Sequence, residues 1–155
     1  MQIKLIHNEN KKFMRDVLKV YKSAFVNSNF SILNKKDFED YFNIGSKIYV
    51  LQIKKEIIAY LILLLNKNLG EIASIGVHEN YQNNNYGKYL IKGVLEKNLN
   101  LIKINLEVAV TNYKAINFYK TLGFNNVGLR KQYYLIKKGK DKGERVDALI
   151  LEMLL

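Results

Sequence analysis

A chain of 155 residues, 48% hydrophobic and 12% aromatic, is long enough for one compact domain with a substantial core and too short to divide comfortably. Its formal charge of +11 comes almost wholly from lysine: only Arg15, Arg130 and Arg145 carry guanidinium groups for bidentate recognition of phosphates or base edges. The lack of cysteine excludes disulfides, a thiol nucleophile and thiolate metal sites, and His7 and His78 without HExxH-like spacing make no metal centre, so none is expected.

From the N-terminus, "MQIKLIHNEN" has no long apolar stretch or cleavage signal, and "QIKLI" at 2–6 alternates like a short strand. Between Phe13 and Phe25 the apolar residues fall at helical spacing, with Asn10 available as a cap. A second helix fits "NKKDFEDYFNIG": Asn34 caps it, Phe38, Tyr41 and Phe42 share a face, and Gly45 ends it.

The period then changes. "KIYVLQI", "EIIAYLILLL" and "GEIASIGV", separated by turn-like "KKE" and "NKNLG", read as three consecutive antiparallel strands over 47–77, the second apolar on both faces and therefore central. That apolar run, at 57–65, is far short of the ~20 residues a spanning helix needs, and the expectation is a soluble, cytoplasmic protein without membrane contact. Helical spacing returns over 86–98. In "IKINLEVAV" the residues Ile102, Ile104, Leu106, Val108 and Val110 alternate with Lys103, Asn105, Glu107 and Ala109. A helix from about Asn112 to Leu122, stopped by Gly123, precedes two long strands between Val127 and Leu155 joined by the basic loop "KKGKDKGER". The order predicts an α/β (α+β) domain over 1–155, a mixed, mostly antiparallel sheet of about seven strands flanked by about four helices.

One stretch points to chemistry. "NYQNNNYGKYL" at 80–90 follows a strand and opens a helix, and a helix N-terminus with its unpaired amides attracts anions. Such a loop needs residues that tolerate positive φ, for which asparagine ranks next to glycine. On local chemistry alone, a generic polar loop and an anion site are equally compatible with it.

Three runs together narrow the choice. "IGVHENYQNNNYGKYLIKGVLE", "LEVAVTNYKAINFYKTLGF" and "RKQYY" resemble the GCN5-related N-acetyltransferase (GNAT) superfamily, and within it the bacterial ribosomal-protein-alanine N-acetyltransferases. The resemblance covers about residues 48–155. The family's loop follows a QxxGxG pattern, so Asn85 stands where the first glycine is usual. What this implies is an acetyl-coenzyme A site: backbone of Ile75, Gly76 and Val77 beside the pantetheine arm, Gln82 opening the loop, amides of Asn83, Asn84, Asn85, Tyr86, Gly87 and Lys88 around the pyrophosphate, and Asn112 as a further contact. It also implies Glu107 as general base, Tyr119 as general acid to the departing thiolate, and Tyr133 and Tyr134 on the acceptor side. The implied acceptor is a protein N-terminal amine, that of a small-subunit ribosomal protein first. A lysine, a polyamine or another small amine is the alternative, and a non-catalytic acyl-coenzyme A-binding module is the alternative of a different class. Direct nucleic-acid binding is not expected, because the lysines are dispersed and no RNP-like motif occurs. Ala109, where relatives often carry arginine, and the long basic loop leave the acceptor open.

Overall fold

The computed structural model describes residues 1–6, 11–30 and 34–155; His7 and the expected cap Asn10 lie outside the described residues, as does the side chain of Phe42. The chain runs β1 (Gln2–Ile6), α1 (Lys11–Ala24), α2 (Lys35–Asn43), β2 (Lys47–Ile53), β3 (Glu56–Asn66), β4 (Leu69–Val77), a 3-10 turn (Glu79–Tyr81), α3 (Tyr86–Glu96), β5 (Lys103–Ala109), α4 (Tyr113–Thr121), β6 (Asn125–Leu135) and β7 (Arg145–Leu154). The seven strands form one sheet in the order β1-β2-β3-β4-β5-β7-β6. All neighbours are antiparallel except β4 and β5, so the expected mixed, mostly antiparallel architecture holds.

Local chemistry accounts for the elements. Asn34 Oδ1 accepts the amides of Lys36 and Asp37 at 2.8 and 3.1 Å while Asp37 returns a bond to the Asn34 amide, a reciprocal cap that starts α2. Gly45, at φ +78°, takes the left-handed conformation after the helix. Lys54 and Lys55, at φ 48° and 71°, make the two-residue turn of the β2–β3 hairpin, whose twist requires positive φ at both positions. β3 is buried on both faces from Ile57 to Leu63 and lies third in the sheet, inside it rather than at its exact middle.

Helices cover both faces. Met14, Val17, Val20 and Tyr21 of α1 and Phe38 of α2 pack with Ile48, Val50, Tyr60 and Ile62 on one side. Leu90, Ile91 and Val94 of α3 and Ile116 and Tyr119 of α4 pack with Leu51, Ile58, Leu61, Ile104 and Leu106 on the other. Burial on two faces explains why Ala109, on the side of β5 that alternation marks as polar, is only 5% exposed. Ile102, which the same alternation puts inside, precedes the strand and is 53% exposed.

Candidate active site

The sheet opens where its parallel pair ends. β4 meets β5 only from Leu69–Lys103 to Glu71–Asn105; beyond that β4 stays with β3 up to Val77–Ala59, while β5 follows β7 to Ala109–Ala148. A bulge in β4, where Leu63 pairs with Ile72 but Ile62 with Ser74, inserts Ala73 and turns the strand away. The edge of β4 beyond it therefore has no strand partner inside the sheet. The His78 amide bonds the Ile58 carbonyl at 2.8 Å, so alternation directs the amide groups of Val77 and Ile75 into the gap. Gln82 Nε2 caps the Val77 carbonyl at 3.1 Å, tying the loop to the strand end.

That loop ends on an uncapped helix. Asn83 and Asn85 hold φ of 63° and 60°, and Asn85 is the N-cap of α3 without a side-chain capping bond. The first-turn amides of α3 are thus left for another partner. Asn84 is spent within the turn, its Nδ2 donating to the Gln82 carbonyl at 2.9 Å. Gly87 permits close packing, since a Cβ there would lie 3.3 Å from the Phe118 ring. α4 differs from α3 in being capped: Asn112 Oδ1 accepts the Ala115 amide at 3.2 Å.

Between strand end, loop and α4 lies a cavity of 440 Å³. Of the residues expected at a cofactor, Ile75, Gly76, Val77, Gln82, Asn83, Asn85, Tyr86, Gly87 and Asn112 line it; Asn84 and Lys88 do not. Phe25, at the end of α1, and Phe118 also line it, and neither was foreseen from the sequence. Their signal was indistinct, because an aromatic at helical spacing reads as core.

Glu107 and Tyr119 stand outside this lining. Glu107 is on β5, the far side of the gap, 18% exposed, with Oε1 2.8 Å from Arg130 Nη2. The Arg130 guanidinium lies 4.9 Å from the Tyr133 ring centroid, and hydrogen bonding to the Glu107 carboxylate, then burial, raises the pKa of the Tyr133 phenol. Tyr134 donates to the Glu107 backbone carbonyl at 3.1 Å. The structure thus gathers Glu107, Tyr133 and Tyr134 and adds Arg130, a partner that strand alternation cannot reveal.

Tyr119 packs against Phe118 and Phe124 and is 8% exposed. Burial pushes its phenol well above the ordinary value, so it stays protonated. No residue among those described hydrogen-bonds its hydroxyl, and none of their unpartnered side-chain N or O atoms is sealed from solvent, so the hydroxyl remains open. Burial likewise raises the phenols of Tyr60, against which a hydrogen bond with Ser74 works, and of Tyr134. The charge of Glu71 on β4 acts in the same direction on Tyr41 of α2, after burial, and on Tyr133.

The model of the acetyltransferase (GNAT) family matches residues 13–124. The chain belongs to the GNAT family. An N-alpha-acetyltransferase of Sulfolobus acidocaldarius is 32% identical over 105 residues, 58% of this chain and 62% of that protein. The [ribosomal protein bS18]-alanine N-acetyltransferase of Escherichia coli is 29% identical over 82 residues, 52% of each chain. These matches thus span between half and two thirds of the relatives' own lengths. The crystal structure of the ribosomal-protein-S18-alanine N-acetyltransferase from Escherichia coli superimposes with a TM-score of 0.84 over 99% of this chain and 92% of that one, at 21% identity, and shows the same GNAT fold. Among the described residues no helix is long and apolar enough to cross a membrane, and no three His, Cys, Asp or Glu residues converge on one point.

Proposed function

We propose that this GNAT protein transfers an acetyl group from acetyl-coenzyme A to a primary amine, and that the amine is a protein N-terminal α-amine, with a small-subunit ribosomal protein as the first acceptor to test and the cytoplasm as the setting. The observation that carries the reading is the gap between β4 and β5, which joins an unpaired strand edge to the uncapped start of α3. The residues present fit the donor. The N–H groups that Ile75 and Val77 turn into the gap suit an extended arm that itself carries amides, as in strand addition, and the first turn of α3 suits a pyrophosphate.

When bound, acetyl-coenzyme A supplies an activated thioester. The chain's own groups then divide the work. Glu107 accepts the amine proton, directly or through water; a backbone amide of the β4 strand end at Val77 holds the developing oxyanion; Tyr119 keeps a proton on its hydroxyl for the departing sulfur. An α-amine has a reference pKa near ~8 and a lysine near ~10.4, so presenting the former neutral costs roughly 3 kcal/mol less. A carboxylate base is then sufficient. The relatives named for N-terminal acetylation support the choice of acceptor.

Thiol release in the presence of N-terminal peptides, lysine peptides and polyamines tests the reading. Turnover with free N-terminal peptides is expected, and acetyl-coenzyme A binding without turnover on any amine would favour a non-catalytic binding module. Because Asn85 already holds the left-handed conformation, Asn85→Gly should leave acetyl-coenzyme A affinity within about threefold by calorimetry, since glycine adopts that φ at least as readily. A large gain in affinity would mean that the asparagine strains the loop.

A further inference from the structure

The Glu107 backbone is paired with Ile150 of β7, but its carboxylate meets one irregular segment of β6. Arg130 pairs with Ala148 of β7 and Tyr134 with Val146, so Lys131, Gln132 and Tyr133 bulge opposite the single residue Asp147. Arg130, just before this bulge, pairs with the Glu107 carboxylate at 2.8 Å, and Tyr133, inside it, has its phenol raised first by hydrogen bonding to that carboxylate. The Tyr134 hydroxyl, one residue further, fixes the Glu107 backbone carbonyl. Where the bulge lies therefore decides where the carboxylate is held.

The bulge is not self-supporting. Gln132 sits at φ 48°, a conformation that L side chains disfavour and that glycine would take freely. Opening a bulge also strips its amide and carbonyl groups of ladder partners. Two β7 side chains replace those partners. Asp147 Oδ1 accepts the Gln132 amide at 2.8 Å, and Arg145 Nη1 donates to the carbonyls of Gln132 and Tyr133, both at 3.2 Å. Every one of these bonds is solvent-exposed, where a hydrogen bond adds little to global stability, so the effect of the clamp falls on local geometry.

We propose that Asp147 and Arg145 are positioning residues, which clamp the β6 bulge so that Arg130 and Tyr133 hold Glu107 in the geometry for accepting the amine proton. The inference rests on the reading of Glu107 as the base. A displacement of about 1 Å at a reacting group costs up to about a hundredfold in rate, so a loosened bulge is felt in turnover rather than in donor binding.

The test is a set of variants of the whole chain. Asp147→Ala should lower kcat for an N-terminal peptide about tenfold or more, with the KM for acetyl-coenzyme A unchanged. Asp147→Asn, which keeps an oxygen acceptor for the Gln132 amide, and the double variant Asp147→Ala/Gln132→Gly, which removes the need for a clamp, should each recover most of the loss. A kcat that survives Asp147→Ala, or a loss that neither second variant recovers, overturns the proposal. A second readout needs no activity: NMR titration of labelled Tyr133 should show its raised pKa falling toward the ordinary value in Asp147→Ala and returning in Asp147→Asn. An unchanged Tyr133 titration in Asp147→Ala overturns the clamp even if no amine is acetylated. Absence of turnover by the wild-type protein would count against the proposed function alone and leave this titration to decide the clamp.

Discussion

Glu107→Gln should lower kcat for an amine acceptor by about two to four orders of magnitude near neutral pH, the range over which a positioned proton acceptor contributes. Glutamine fills the same space but has no basic oxygen. Loss of the ion pair should scarcely affect folding, because Arg130 is 54% exposed and water replaces the carboxylate as its partner. The expected outcome is a large fall in turnover with the unfolding temperature and acetyl-coenzyme A affinity nearly unchanged, read by stopped assays beside thermal unfolding and calorimetry. Raising pH should restore part of the rate, since more of the acceptor is then already neutral. A variant that keeps wild-type turnover at neutral pH would remove Glu107 from the mechanism.

Tyr119→Phe isolates a different step. The hydroxyl has no partner among the described residues, so its removal leaves no buried group unsatisfied, and stability should stay the same or rise slightly. Turnover should fall by about two to four orders of magnitude, because sulfur then leaves without a proton donor. Burial makes the phenol a weaker acid than tyrosine in water, which argues for the lower part of that range. The sign of the shift also fixes the pH dependence: a raised pKa keeps the neutral acid form as pH passes 10, so no loss of wild-type kcat from phenol ionisation should appear below that point. A basic limb that sets in near pH 8 or 9 and disappears in Tyr119→Phe would contradict a buried phenol in this role.

The order of elements was legible because most of them follow one period throughout. Phe38 and Tyr41 on one face of α2, the reciprocal cap at Asn34 and Asp37, and the two-sided burial of β3 each follow from local sequence. Ends were less so: α3 stops at Glu96 rather than 98, α4 runs from Tyr113 to Thr121, and β6 begins at Asn125 before the expected Val127. Terminal turns carry little pattern of their own.

The site divides along the same line. "NNNYG" announced a loop tolerant of positive φ, and Asn83 and Asn85 adopt it. The gap that makes the loop useful was not legible, because it comes from an extra residue, Ala73, in a strand whose composition looks regular, and from β5 choosing β7 over β4. Nor was the Arg130–Glu107 contact, which joins two strands 23 positions apart through a bulge centred on a glutamine where a glycine would have given warning. Pairing register is set by the whole sheet, and a single strand does not display it.

One measurement bears most directly on the proposed activity. A peptide with both a free α-amine and an internal lysine, incubated at pH 7 with acetyl-coenzyme A and the protein, can be mapped by fragmentation mass spectrometry. Acetylation at the α-amine, abolished by blocking that amine and strongly reduced in Glu107→Gln, is the predicted result. Acetylation at the lysine alone, or transfer that proceeds equally well in Glu107→Gln, would contradict the account.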